Sequence, residues 1–511
     1  MSAARRSRLR ELLLGAAGVA VLLFAWEVLG RLGLLGRSIP PLSEVLAAIG
    51  EHGDILARAA SATGTRALVG GLIGFGIGLL LAAITAWIPG SASTVVRTAV
   101  LINAIPVVAL GPVLMSLDAR PFIPEIFAAL SVLFSTVITA GDGFRSASRS
   151  SRDLFDVYRT RRWARFWRLD APTGLPLVAD AFRLAVPAAL LGAILGEWFG
   201  ADRGLGVLMV SSMRNLQYGL LWAAALVAVL ISATVYAIGG LLERAAVARF
   251  SRPGQAASAL APIGRVRGLV LAVAVPAALV LAWQLWIVVD EVPLIVAPPP
   301  ADVAVALAAD IGAYLAAAGL TVLSAIGGLL AGALVGLGLA VLATLAPWLG
   351  AMLAPLALLI PTVPIVVFIP IVGSVLGYGV ETVFASTVLM AFFPVYVLAL
   401  SGLNARPPGS DDLFRVYGAG TLVRLRRLAL PASVPSLMIA LRLSSAMAIL
   451  IAISAEWLMG QGGLGRVFSE RRVVLDTAGS WAAVVVAIVL SVAAYAAASR
   501  LERSVAERWR S

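Results

Sequence analysis

The sequence predicts an all-α integral membrane protein, with twelve transmembrane helices arranged as two parallel six-helix repeats. Three observations lead there. Of the 511 residues, 60% are hydrophobic and only 13% charged, with a mean hydropathy of +0.98; a soluble domain carries about 25% charged residues. Apolar stretches that approach the bilayer thickness recur along the whole chain. Motifs of the first half also return in the second at a nearly constant offset. A soluble multidomain enzyme, a disordered chain and a fibrous protein are excluded by composition alone.

The missing residue types exclude further chemistry. There is no Cys, hence no disulfide framework, thiolate metal site or Cys nucleophile. There is no Lys either, so all 39 basic residues are Arg. A phosphate-binding loop of the G-x-x-x-x-G-K-[ST] type therefore cannot be built, and neither can a Schiff base. The single His, His52, lies between Glu51 and Asp54 in a polar stretch and reads as a solvated loop residue, because one His makes no metal site. No enzymatic activity and no cofactor are expected.

The apolar stretches fall at about 12–30, 66–88, 95–117, 122–141, 177–199, 218–241, 269–289, 319–345, 350–372, 382–401, 436–459 and 480–498. The first follows Arg5, Arg6, Arg8 and Arg10, has Trp26 and Glu27 near its end and lacks a small-x-small cleavage site. It reads as an uncleaved span rather than a signal peptide. With the N-terminus inside, 27 Arg fall on inside segments and 9 on outside loops. This is the positive-inside pattern. The net charge of +12 thus orients a multi-pass protein in the plasma membrane, with both termini cytoplasmic, and does not signal nucleic acid.

The halves repeat each other. Trp26 matches Trp283, and Pro106 and Pro112 match Pro364 and Pro370. Leu154-Phe155, Tyr158, Pro172, Pro176, Arg183, Glu197-Trp198, Gly204-Leu205-Gly206 and Leu242-Glu243-Arg244 recur 259 residues later. Their partners are Leu413-Phe414, Tyr417, Pro431, Pro435, Arg442, Glu456-Trp457, Gly463-Leu464-Gly465 and Leu501-Glu502-Arg503. Six spans per copy give both copies the same orientation, related by an axis along the membrane normal. The expected domains are residues 1–249 and 268–511, joined by a cytoplasmic linker at 250–267 rich in Ala, Arg, Pro and Gly. In each second span, Gly70-Gly74-Gly78 and Gly328-Gly332-Gly336 form a small-xxx-small ladder, which predicts backbone-to-backbone helix packing.

The longest inside loop of each half lies between its fourth and fifth spans. These loops read SRDLFDVYRTRRWARFWRLDAPTGLP and SDDLFRVYGAGTLVRLRRLALPASVP. Each places an Asp, Asp153 or Asp412, before a Leu-Phe pair as an N-cap candidate. A short helix on the membrane surface fits, with Leu, Phe, Val and Tyr on one face and Arg on the other. A helix lying among lipid headgroups has the same pattern.

These loops resemble the cytoplasmic coupling segment of ATP-binding-cassette importer permeases, which runs Glu-Ala-Ala, three residues, Gly, then about a dozen residues to Leu-Pro. Gly418 stands thirteen residues before Pro431, with Asp412 in place of the Glu and Leu413-Phe414 in place of the alanines. The first copy keeps Asp153 and Pro172 but has Arg159 where the glycine belongs. Downstream, Glu197-Trp198…Gly204-Leu205-Gly206 and Glu456-Trp457…Gly463-Leu464-Gly465 resemble the nitrate, sulfonate and taurine branch. So does the third span of the second copy, with Pro361, Pro364, Pro370 and Gly377-Tyr378-Gly379; Asp118 and Arg120 replace those glycines in the first copy.

The resemblance implies the permease part of an ATP-driven, binding-protein-dependent importer of a small anion or polar organic, with two permease domains fused. It implies two ATPase subunits on the cytoplasmic loops and an extracytoplasmic substrate-binding protein. The residues it assigns to ATPase contact are Asp153, Leu154, Phe155, Tyr158, Arg159 and Pro172, and in the second copy Asp412, Leu413, Phe414, Tyr417, Gly418 and Pro431. Glu197, Trp198, Glu456 and Trp457 at the outer ends of the fifth spans are candidates for the translocation path, since ionisable residues in spans are functional by default; a snorkelling interfacial carboxylate is the alternative. Arg183 and Arg442 are placed to reach headgroups. A secondary transporter of two six-helix halves is the runner-up, but such proteins carry their basic loop between spans two and three, where this chain has only Arg97.

Overall fold

The computed structural model describes residues 3–33, 36, 38–88, 91–103, 111, 114–115, 120–250, 265–359, 365–377, 379–406, 409–459 and 462–510. The helices of the first half are α1 (Ala3–Arg31), α2 (Leu42–Glu51), α3 (Gly53–Trp87), α4 (Ala92–Asn103), α5 (Ile123–Phe144), α6 (Arg149–Val157), α7 (Arg162–Glu197), α8 (Leu205–Arg214) and α9 (Tyr218–Phe250). The second half contributes α10 (Arg265–Val289), α11 (Pro300–Ala309), α12 (Ile311–Leu345), α13 (Pro347–Leu359), α14 (Ile365–Leu376), α15 (Val380–Asn404), α16 (Ser410–Val416), α17 (Thr421–Met459), α18 (Gly463–Val473) and α19 (Thr477–Arg510).

Among the described residues, nine helices are long and apolar enough to cross a bilayer: α1, α3, α5, α7, α9, α12, α15, α17 and α19. Of the other three expected spans, 269–289 falls on α10, while 95–117 and 350–372 lie partly outside the described residues, as does most of the 250–267 linker. The Pro106, Pro112, Pro361 and Pro364 positions lie outside them too. The second and fifth spans begin earlier than hydropathy suggests: α3 and α12 start at Gly53 and Ile311, and α7 and α17 at Arg162 and Thr421. In α3 and the fifth spans the added turns carry Arg, so the helix outlasts the apolar window that betrays it.

The chain packs as two compact units. One is Ala48–Asp302; the other joins Met1–Ala47 to Val303–Ser511. The first unit therefore includes α10 from the second half of the sequence, and the second unit includes α1 from the first half. In the second unit α1 lies on α13, and a Cβ at Gly18 would strike the backbone of Met352. The repeat and the packing units thus divide the chain differently.

The glycine ladders do what their spacing predicts. A Cβ at Gly70 or Gly74 would fall on the α5 backbone at Glu125 or Ala129, and one at Gly78 on Thr136. Gly328, Gly332 and Gly336 meet Thr387, Val388 and Phe392 of α15 in the same manner. This brings the N-terminal ends of α3 and α5 together with the C-terminal end of α7 at one end of the first unit. The α6 turn lies at the other end, and α12, α15, α17 and α16 repeat the arrangement in the second unit.

Candidate functional site

The loop between the fourth and fifth spans folds as a short helix, a tight turn and the start of the fifth span. Neither Asp153 nor Asp412 is the N-cap. Both lie inside their helices, because Ser148 caps α6, its Oγ accepting from the Ser151 amide (3.1 Å), and Gly409 (φ +77°) precedes α16. Asp411 and Asp412 instead complement the dipole in the first turn of α16, where Asp411 also pairs with Arg406 (2.7 Å).

The two turns share one hydrogen-bond pattern. Tyr158 N–H donates to Leu154 C=O (3.2 Å), Arg159 to Asp156 (3.0 Å) and Thr160 to Phe155 (3.0 Å). In the second copy Tyr417 donates to Leu413 (3.2 Å), Gly418 to Arg415 (2.9 Å) and Ala419 to Phe414 (2.9 Å). The 6→1 and 5→2 bonds define a Schellman ending, which requires a left-handed residue after the helix. Gly418 provides it at φ +68° without steric cost, and Arg159 is held there at φ +46° against a cost of about 1 kcal/mol. The expected difference at this position is therefore one of side chain, not of backbone.

The same side chains face outward in both copies. Tyr158 and Tyr417 are 76% and 81% exposed, Leu154 and Leu413 are exposed, and Phe155 and Phe414 are half-buried anchors. Val157 and Val416 join this apolar face. The Leu, Phe, Val and Tyr pattern of the sequence places them on that face, although the resemblance assigns no contact to them. Pro172 and Pro431 stand apart from it. Each follows a π-helical turn, Phe166–Asp170 or Leu425–Ala429, where the proline lacks an N–H and its ring crowds the carbonyl four residues back.

The opposite ends of the fifth spans hold a buried clasp. Glu197 is 1% and Glu456 2% exposed, so neither carboxylate snorkels at the interface. Glu197 accepts from Thr63 Oγ1 (2.8 Å), the Gly206 amide (2.8 Å) and Arg66 Nη1 (3.2 Å). Thr63 Oγ1 in turn accepts from the Leu205 amide (2.8 Å). Glu456 repeats this with Thr321 (2.9 Å) and the Gly465 amide (3.0 Å), and the Leu464 amide donates to Thr321 (2.9 Å). Gly204 (φ +141°) and Gly463 (φ +67°) press against these carboxylates, leaving no room for a Cβ. The Glu-Trp…Gly-Leu-Gly string is thus a staple that folds α8 or α18 back onto the fifth and second spans. Trp198 and Trp457, next to it, are half-buried.

Arg183 and Arg442 do not reach for headgroups either. Arg183 pairs with Glu243 (2.6 Å) and lies over the Tyr236 ring at 4.2 Å; Arg442 pairs with Glu502 (2.9 Å), with Tyr495 at 6.0 Å. These clamps between the fifth and sixth spans account for the repeated Leu-Glu-Arg string.

Comparison with known proteins matches the sequence to transport proteins. The family model described as binding-protein-dependent transport system inner membrane component matches residues 74–252 and again 328–507. A probable ABC transporter permease protein of Haemophilus influenzae is 30% identical over 229 residues, 44% of this chain and 94% of its own length. The formylaminopyrimidine transport permease protein ThiX of Halalkalibacterium halodurans is 28% identical over 188 residues, 36% of this chain and 75% of its own. The putative aliphatic sulfonates transport permease protein SsuC of Bacillus subtilis is 25% identical over 230 residues, 44% and 83% of the two chains. No solved structure matches. The double match sets aside the secondary-transporter reading, and these relatives are transport subunits, not enzymes. The chain belongs to the family of binding-protein-dependent ABC transporter permeases of the plasma membrane, and it carries the family's domain twice.

Proposed function

We propose that this chain is the membrane-spanning part of an ATP-driven importer, residues 1–249 and 268–511 serving as its two permease domains. One ATPase subunit docks on each of the turns after α6 and α16, and a substrate-binding protein delivers cargo at the opposite end. ATP-driven closure of the ATPase pair would rock the two domains between inward- and outward-facing states. Both termini and both turns are cytoplasmic. The cargo is a small anion or polar organic, of the kind named for the formylaminopyrimidine and aliphatic sulfonate relatives.

The observation that carries this reading is the pair of matched turns, each exposing one Leu, one Val and one Tyr. Large apolar side chains held out by a rigid turn are anchors for a pocket on a partner. Two such turns of one shape call for two copies of one partner. In the family sense, Leu154, Phe155, Tyr158 and Arg159, with Leu413, Phe414, Tyr417 and Gly418, are the contact residues, Asp153 and Asp412 flank them, and Pro172 and Pro431 set where the fifth span begins.

The native chain has no Cys, so Tyr158→Cys and Tyr417→Cys each introduce a unique probe. Both should react with a membrane-impermeant maleimide only from the cytoplasmic side. Each should also cross-link to a co-expressed ATPase subunit, and purified chain should turn over ATP only when that subunit is present. Labelling from outside, or no cross-link at either site, would refute the reading.

A further inference from the structure

At the end of the first unit opposite its coupling turn, an open pocket of about 350 Å³ is lined by Arg58, Ser61, Thr65, Arg66, Glu125 and Arg203. Arg66 is committed to Glu197 and to the carbonyl of Arg203. The guanidinium groups of Arg58 and Arg203 form no ion pair among the described residues. Glu125 supplies the complement: its Oε2 is buried and has no hydrogen-bond partner among the described residues, a costly state for a carboxylate oxygen.

The second half shows that the fold does not require this pocket. Gly70 packs on the Glu125 backbone as Gly328 packs on that of Phe384, which fixes the register. At the matching positions stand Ala316 for Arg58, Gly319 for Ser61, Leu323 for Thr65, Ser324 for Arg66, Phe384 for Glu125 and Gly462 for Arg203. Five of six polar side chains are replaced by apolar ones or glycine. The clasp beneath keeps its Thr, Glu and Gly-Leu-Gly in both halves. Free cationic groups and an unpaired acid therefore gather in one half without a structural demand for them.

We propose that this pocket binds a zwitterionic group, its oxyanion held by Arg58 and Arg203 and its ammonium by Glu125. Two guanidinium groups give the fork geometry that suits phosphate, sulfonate or carboxylate. The depth of the pocket favours a phosphoethanolamine lipid headgroup as the source. Along the exposed side of α3, Arg58, Ser61 and Thr65 give way within two turns to exposed Leu68, Leu72 and Ile73. A polar-to-apolar switch of this kind marks the level of the headgroups. A free aminated oxyanion offers the same chemistry from the aqueous side.

Two arms separate the sources. In the first, the full chain is placed in nanodiscs of equal phosphatidylethanolamine and phosphatidylglycerol, and retained lipid is read by native mass spectrometry. In the second, delipidated chain is titrated with free phosphoethanolamine and with glycerol phosphate. Wild type should prefer the ethanolamine form by about tenfold in the arm that holds the true source, the worth of one charged hydrogen bond. Arg58→Ala with Arg203→Gly, residues the second half itself tolerates, should lose both headgroups. Glu125→Gln should keep binding but lose the preference. Thermal unfolding of the variants controls for folding. A wild type with no preference in either arm, or variants that bind as wild type does, would overturn the proposal.

Discussion

The two ends of the repeat have diverged to different degrees. At the end that carries the α6 and α16 turns the halves keep the same Schellman bonds, matched within 0.1 Å, and the same exposed Leu, Val and Tyr. At the opposite end only the buried clasp is shared. There the first half gathers Arg58, Arg66, Arg203 and Glu125 in an open pocket. The second half closes on itself: Arg471 pairs with Asp310 and with Asp476 (3.0 Å), and Tyr314 Oη donates to the Gly479 carbonyl (2.9 Å). The first-half counterparts of Asp310, Arg471, Asp476 and Tyr314 are His52, Ser212, Gln217 and Leu56, which cannot make that network. Duplication has preserved the surface at one end of the repeat and released the one at the other.

The largest test of this contrast is the clasp. Glu197→Ala strands three donors, on Thr63, Arg66 and Gly206, and should cost about 3–5 kcal/mol. Glu456→Ala strands two and should cost about 2–4 kcal/mol. Thermal unfolding in detergent ranks them. If Glu456→Ala were the worse, Arg66 would add nothing to the first clasp. Arg66→Ser, which gives the first clasp the composition of the second, should cost about 2 kcal/mol, the worth of a hydrogen bond between charged groups. Stability unchanged by that swap would mean the clasps are equivalent despite the ion pair.

The clamps between fifth and sixth spans come next. Arg183→Ala and Arg442→Ala should each cost about 1–2 kcal/mol, since both pairs are partly exposed. Arg183 lies closer to its tyrosine ring than Arg442 does, 4.2 against 6.0 Å, which adds about 0.5–1 kcal/mol to its loss. Tyr236→Leu and Tyr495→Leu should show the same order; the reverse would locate the difference outside the ring contact.

What was legible in the sequence was what is local. Long apolar windows announced the spans, and glycine at every fourth position announced a close helix contact without naming the partner, because both are periodic along one helix. The clasp was visible only as a repeated string. Its meaning depends on Thr63 and Thr321, which lie 134 and 135 residues from their carboxylates and carry no mark of their own in an apolar helix. The Ser148 cap was masked by a more obvious Asp five residues on. The π-helical turns change the helical period for five residues only, too briefly to alter a pattern. The grouping of α1 with the second-half helices leaves no trace in either helix, since an apolar surface does not name its neighbour.

The smallest effect is the most direct test of sameness between the α6 and α16 turns. Arg159 and Gly418 hold the same left-handed position, which penalises a side chain by about 1 kcal/mol relative to glycine. Arg159→Gly should therefore tighten the first turn and Gly418→Arg loosen the second, by about fivefold each in amide protection of the flanking segments. A Cβ at 418 meets nothing within 4 Å, so Gly418→Arg should not disturb the fold, and the exchange of both residues should leave the summed stability unchanged. Hydrogen exchange on peptides covering 154–160 and 413–419 reads this without any partner. The same variants then separate the turn from its docking. If protection shifts as stated while ATPase stimulation holds, the position sets only the local backbone, and the Leu, Val and Tyr face carries the contact. If Gly418→Arg keeps the fold but abolishes stimulation, the two sockets differ in what they accept, and the coupling ends are alike in backbone only.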